Sequence, residues 1–161
     1  MNTLTTLEVD MLQVQQEPFL VVEDNKDLIE QHWYEVVPAT EHRVLDIAWE
    51  TFRTLEKAGR LFTCVARDYG EVVGYTVFIL QPHLHSQTDL GAHNDALFLH
   101  PRYRKGTAGL RLIKESERLL ELAYPGCTVL WHVKQEPDFS ALLLRLGHHK
   151  QETVYARKTK G

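Results

Sequence analysis

The run His100-Pro101-Arg102-Tyr103-Arg104-Lys105-Gly106-Thr107-Ala108-Gly109 carries the residue types that hold an anion. Backbone N–H groups at a helix start, with cationic side chains beside them, form a ready phosphate site. Just upstream, His93 and Asp95 alternate with Leu97 and Leu99, which places all four on one face if the strand runs back that far. A histidine or a carboxylate there is suited to taking a proton, the histidine because its pKa lies near neutral pH. The plainer reading is that His93 and Asp95 cap a solvated strand entrance, since Gly91-Ala92-His93-Asn94 looks like a loop. Nine histidines also invite a metal reading. However, His83 with His85 and the adjacent His148-His149 lack the cysteine or carboxylate companions of a recognised metal site, so surface and loop histidines are expected.

The elements that must position these residues follow from hydrophobic periodicity and punctuation. Leu4, Leu7, Met11 and Val14 dilute into a weakly patterned segment over residues 1–18. Phe19 to Val22 reads as a short strand, and Asp24 or Asn25 caps a helix from Lys26 to about Val37, stopped by Pro38. A second helix is expected over Val44 to Ala58, ended by Gly59. Two strands, Leu61 to Arg67 and Glu71 to Leu80, flank the tight Asp68-Tyr69-Gly70 turn as a hairpin. Residues 82–89 read as a polar connection before a third strand, Asp95 to His100.

The helix after the glycine turn has the clearest pattern, with Gly109, Leu112, Ile113, Ser116, Leu119, Leu120 and Ala123 on one side. Pro125-Gly126 ends it. A strand over Cys127 to Val133 follows, then a helix capped by Asp138, striped with Phe139, Leu142, Leu143 and Leu146, and closed by Gly147. A last strand is expected from about Glu152 to Lys158. This order implies a single α/β domain of the α+β type, spanning residues 1–161, with a mixed sheet and helices on both faces.

Composition narrows the function classes. A chain of 161 residues, 43% hydrophobic and 25% charged, suits one soluble globular core. A net charge of −4 gives no reason to expect a nucleic-acid partner. No apolar run reaches membrane-spanning length and no basic-then-apolar leader opens the chain, so a cytoplasmic protein is expected. Cys64 and Cys127 sit in apolar runs without a spacing pattern and read as buried free thiols.

This element order, together with the stretch at 97–113, resembles the GNAT superfamily of acetyl-CoA-dependent N-acetyltransferases, and the resemblance runs from Phe19 onward. The family's motif is Arg or Gln, two residues, Gly or Ala, one residue, Gly or Ala, after a strand ending in an apolar residue, one further residue and Pro. Here Leu99-His100-Pro101 supplies the strand end, Arg104 opens the loop and Gly109 takes the last glycine position. Thr107 occupies the first glycine position, with Gly106 displaced by one. Either the Thr107 hydroxyl donates there or Gly106 supplies the positive φ. Leu144-Arg145-Leu146-Gly147 and Glu152-Thr153-Val154-Tyr155 look like the family's closing helix and strand. The variant is most similar to GNAT-like proteins often encoded by bacteriophages.

The resemblance implies a mostly antiparallel sheet of about six to seven strands and acetyl-CoA as cofactor. It implies cofactor contacts from Leu97, Phe98, Leu99, Arg104, Lys105, Gly106, Thr107, Ala108 and Gly109, with Asp138 and Ser140 at the last helix. It places the thioester-polarising N–H at Leu99 and a base at His93 or Asp95. The acceptor-binding wall falls on His32, Trp33, Tyr34 and Glu35, for which core packing of Trp33 and Tyr34 is the plain alternative. The family's general-acid tyrosine position holds Leu143, which leaves Ser140, a water, Tyr155 or unassisted departure of the thiolate. The implied partner is a small-molecule or protein amine, and a homodimer through a sheet edge is allowed. A GNAT-like module without catalysis, serving a structural or interaction role, is the competing class.

Overall fold

In the computed structural model, which describes residues 12–38 and 41–161, the chain forms one five-stranded sheet. The elements run β1 (Gln13–Gln16), α1 (Phe19–Glu23), α2 (Lys26–Val36), α3 (Trp49–Lys57), β2 (Leu61–Asp68), β3 (Glu71–His83), β4 (Ser86–Leu99), a 3-10 turn (Pro101–Tyr103), α4 (Ala108–Ala123), β5 (Thr128–Leu130) and α5 (Ser140–Arg145). Spatial order equals chain order, β1 to β5. The first four strands are antiparallel and β5 joins parallel to β4. The mixed, mostly antiparallel sheet with helices on both faces is as expected. The strand number is not.

Two expected strands are absent among the described residues. Phe19–Val22 coils into α1 instead. Pro18 precedes it with extended geometry, the Phe19 N–H donates to Glu56 Oε1 of α3 at 2.7 Å, and Phe19 stacks on Phe52 at 4.5 Å. A four-residue apolar run has no periodicity that separates strand from helix, so packing against α3 decides it. Residues 150–161 are exposed and pair with no strand, Val154 and Tyr155 included. Conversely, Gln13–Gln16 is a strand, held against β2 by the Arg67 guanidinium, which grips both oxygens of Glu17 at 2.7 Å. The helical reading of Leu4, Leu7 and Met11 lies outside the described residues.

The β2–β3 hairpin forms where expected. Tyr69 and Gly70 both take positive φ, the conformation whose twist matches paired strands. The polar stretch 82–89 is no loop, because β3 and β4 extend to a tip at Leu84-His85.

Alternation along β3 builds two cores. Tyr75 and Val77 face α1–α3 together with Phe19, Val22, Val65 and Phe98. On the opposite face, Phe78 and Leu80 join Phe62, Cys64, Ala92 and Leu120 of α4. Between sheet and α4, Thr76 Oγ1 and Ser116 Oγ are hydrogen-bonded at 2.9 Å, and burial pushes the neighbouring Cys64 thiol up to about 11.

Gly74 lets β3 approach β4 closely. A Cβ there would lie 2.6 Å from the Phe98 carbonyl oxygen and 3.1 Å from the Leu99 Cα. Those are backbone atoms and yield only if the ladder parts. Gly74→Ala is therefore expected to lose about 1–3 kcal/mol of stability, read from urea unfolding midpoints.

Candidate active site: a strand splay, a glycine turn and an aromatic cavity

Three features converge at the β4–β5 side of the sheet. The first is a splay. β5 pairs with β4 only at Gly91–His93 against Thr128–Leu130, after which β4 runs on to Leu99 without it. The chain after β5 turns aside, with Trp131 held edge-on to Phe78 at 5.1 Å and its indole N–H donating to Glu117 Oε1 at 2.7 Å.

The second feature is a β-bulge. Val77 pairs with Ala96 and Phe78 with Asn94, so Asp95 is an extra residue without a partner on β3. Asn94 fixes the kink, its amide donating to the Ala96 carbonyl at 2.8 Å and, weakly, to the Val77 carbonyl at 3.4 Å. The bulge overturns the expected common face of His93, Asp95, Leu97 and Leu99. Beyond it, Ala96 and Phe98 face α1–α3 while Leu97 and Leu99 face α4. His93 stacks on His132 at 5.7 Å, and burial lowers its pKa, reinforced by the charge of His132. Asp95 lines the cavity described next. Burial raises its carboxyl above the ordinary carboxylate range, with His132 opposing in part.

The third feature is that cavity, of about 490 Å³, between the sheet, α2, α3 and the chain leading from β5 to α5. It touches β4 from Asn94 to Leu97 and reaches His132 and Lys134 on the other side of the splay. α2 supplies Ile29, His32, Trp33 and Val36 at helical spacing. Of the expected acceptor wall, His32 and Trp33 belong to it. Tyr34 is 73% exposed and Glu35 turns toward Arg104. On the floor His32 meets a partner the sequence did not show: His32 Nδ1 and Tyr75 Oη lie 2.9 Å apart, and His32 stacks on Phe98 at 5.3 Å. Burial, aided by the charges of Lys134 and Arg104, brings the His32 imidazole down to about 4, so it is neutral at pH 7, and burial also drives the Tyr75 phenol upward.

At the glycine turn, Gly106 takes φ +84, and a Cβ on either Gly106 or Gly109 would meet no atom within 4 Å. The space in front of the turn is open, and Gly106, not Thr107, supplies the positive φ. Thr107 is the N-cap of α4 and makes no side-chain cap bond. No acid stands in the first turn, so the first N–H groups of α4 keep their positive field. Lys105 is exposed beside them.

Arg104, expected at a phosphate, is engaged within the fold. Its Nε donates to the Leu99 carbonyl at 2.7 Å, its Nη2 reaches both Glu35 oxygens at 2.6 and 2.9 Å, and its guanidinium lies over the Phe98 ring. It ties the end of β4 to α2.

At α5, Asp138 Oδ1 accepts the Ser140 N–H at 2.8 Å, a capping role that lowers the Asp138 carboxyl pKa. Leu143, in the family's tyrosine position, is buried. His148 docks this helix on α4, its ring nitrogens facing the Leu143 carbonyl at 3.0 Å and Glu117 Oε1 at 2.6 Å.

With this geometry in view, the comparisons with known proteins define the class. The acetyltransferase (GNAT) family model matches residues 10–147. The chain belongs to that family, and the expectation of an N-acetyltransferase is met at the family level. No curated protein matches the sequence.

Solved structures share the fold at low identity. An aminoglycoside acetyltransferase from an uncultured soil metagenomic sample, solved with trehalose, superposes with a TM-score of 0.71 at 12% identity, covering 94% of this chain and 99% of its own. A ribosomal-protein-alanine N-acetyltransferase from Brucella melitensis biovar Abortus 2308 gives 0.70 at 15% identity, covering 93% and 99%. AAC(6')-Iy, in complex with the bisubstrate analog CoA-S-monomethyl-acetylneamine, gives 0.66 at 17%, covering 92% and 99%. Among the described residues, no helix is long and apolar enough to cross a membrane.

Proposed function

We propose that this chain transfers the acetyl group of acetyl-CoA to a primary amine by direct attack of the amine on the thioester. The observation that carries the reading is the meeting of the three features along β4. Its end, free of β5, leads to the open glycine turn, and its bulge presents Asp95 to the cavity.

The residues present fit the cofactor at both ends. The pyrophosphate would rest on the backbone N–H groups from Lys105 to Gly109 with the Lys105 ammonium beside it, where the open side of Gly106 and Gly109 leaves room for close approach. The β4 backbone from Leu97 to Leu99 would line the thioester arm, with the Leu99 N–H polarising the carbonyl. Asp138 and Ser140 stand at the start of α5. When bound, acetyl-CoA supplies an activated acyl group whose thiolate is a good leaving group.

Asp95 takes the proton of the incoming ammonium, directly or through one water. Its raised pKa brings it nearer the pH at which a base both exists unprotonated and binds protons well. The His93–His132 pair at the rim is placed to pass that proton to solvent. Ser140 is the one hydroxyl of α5 and the group in that helix able to meet the leaving thiolate. Arg104 acts as a positioning residue, because it holds the Leu99 carbonyl and so the angle of the strand end.

Titration calorimetry with acetyl-CoA tests the cofactor half. The wild-type chain is expected to bind. Gly106→Val, which forces a branched side chain into left-handed φ at the phosphate approach, is expected to weaken binding about tenfold, or ~1.4 kcal/mol. No measurable heat with the wild-type chain, under conditions where it is folded, would sink the reading. Release of free CoA on addition of an amine tests the transfer half.

A further inference from the structure

The cavity beside Asp95 says more than that an amine is bound there. Its walls are aromatic and aliphatic. Phe19 and Phe52 stack at 4.5 Å beside Trp49, Trp33 faces in from α2, and Phe139 closes the side toward α5.

The charges on the cavity nearly cancel. Among the described lining residues, Asp95 and Asp46 are the carboxylates, and they are balanced by Arg43 and Lys134. Arg43 also pairs with Glu41 at 2.9 Å, and the Lys134 ammonium donates to the Val36 carbonyl at the end of α2.

The buried polar groups are engaged with each other. His32 holds Tyr75, and the Asn94 amide holds backbone carbonyls. Among these buried groups few partners are left for a substrate rich in hydroxyls. A polycation would have to strip water from more ammonium groups than Asp95 and Asp46, already matched by Arg43 and Lys134, can receive. One ammonium at Asp95, followed by an apolar body, meets no such cost.

We propose that the acceptor is a small monoamine carrying one aryl group, an arylalkylamine, with its nitrogen at Asp95 and its ring among Trp33, Trp49, Phe52 and Phe139. This rests on the acetyltransferase reading above and specifies its substrate class. It separates this chain from the solved relatives named for aminoglycosides, since fold likeness does not fix the cavity's lining. A volume of about 490 Å³ lies within the range of small-ligand sites.

The test is CoA release at saturating acetyl-CoA with tryptamine, spermidine, sisomicin and a short peptide whose N-terminal residue is Phe. Calorimetry of acetyl-CoA alone runs in parallel. The expected result is a kcat/KM for tryptamine at least about tenfold above those of the other three, reflecting aromatic burial at one site. Trp49→Ala should raise KM for tryptamine about tenfold, and by more than it lowers kcat, as loss of binding shared by ground and transition states does. Val36→Asp, which adds a carboxylate to the wall, should narrow the gap between tryptamine and spermidine.

A preference for sisomicin, spermidine or the peptide would overturn the arylalkylamine assignment while leaving the transferase reading standing. So would acetyl-CoA binding without release to tryptamine. Failure of acetyl-CoA to bind would remove the transferase reading, and this assignment with it.

Discussion

Asp95→Asn is expected to lower kcat for amine acetylation by about 10²–10³-fold, the usual worth of a positioned general base, with acetyl-CoA affinity within about twofold of wild type. The substitution keeps the shape of the bulge residue and removes only its basicity. Its companion signature lies in the pH profile. Asp95 works deprotonated, so the rate of the wild-type chain rises as pH climbs through its pKa, which burial has lifted above the ordinary carboxylate range. The acid limb of kcat/KM should lie correspondingly high in the wild-type chain and vanish in Asp95→Asn. His93→Ala is expected to keep that limb and lose activity only modestly, because His93 is stacked on His132 and does not line the cavity as Asp95 does. Loss of the limb in His93→Ala, with its retention in Asp95→Asn, would reassign the base to His93.

The second large effect is on stability. The His32 imidazole titrates at 6.5 in an unfolded chain and at about 4 in the buried site. Its folded pKa is depressed, so above pH 6.5 neither state binds the proton and nothing is lost. Below 6.5 the unfolded chain takes up a proton that the native state refuses, and stability falls until both are protonated near pH 4. At about 1.4 kcal/mol per unit, the full loss is ~3 kcal/mol. His32→Phe keeps the ring stacked on Phe98 and removes the titration. It also leaves the Tyr75 hydroxyl unpartnered, at a cost of about 1–3 kcal/mol at every pH. The readout is therefore the slope of stability between pH 7.5 and 4.5, measured by urea unfolding. The wild-type slope should be steep, and the His32→Phe slope shallower by about 2–3 kcal/mol over the interval. Equal slopes would mean that His32 is not the buried neutral group described.

These two residues mark the limit of what the sequence disclosed. α4 was legible because Leu112, Ile113, Ser116 and Leu120 recur at helical spacing and are all buried. The β2–β3 hairpin was legible from its glycine turn. Gly106 stood out as a positive-φ candidate because glycine is the residue that adopts it without strain. The bulge at Asp95 was not legible. Nothing local in Asn94-Asp95-Ala96 announces it, and it exists because β3 pairs past it, so strict alternation carried Leu97 and Leu99 onto the wrong face. Arg104 read as a phosphate ligand for a similar reason: its partner, Glu35, lies 69 residues away on a helix whose docking no local pattern reveals. The cavity's aromatic residues are scattered over α1, α2, α3 and the approach to α5, and only tertiary packing gathers them. Ile29, His32, Trp33 and Val36 were the exception, since their spacing on α2 marks one helical stripe.

Placement of acetyl-CoA along β4 and the glycine turn is the central claim. The most direct measurement is a titration of acetyl-CoA into isotope-labelled protein, following backbone amide resonances. The largest shifts should fall on Leu97 to Leu99 and on Lys105 to Gly109, saturating together, with smaller changes at Ser140. Saturable binding whose shifts leave both stretches untouched would contradict the account, because the cofactor would then lie elsewhere on the fold.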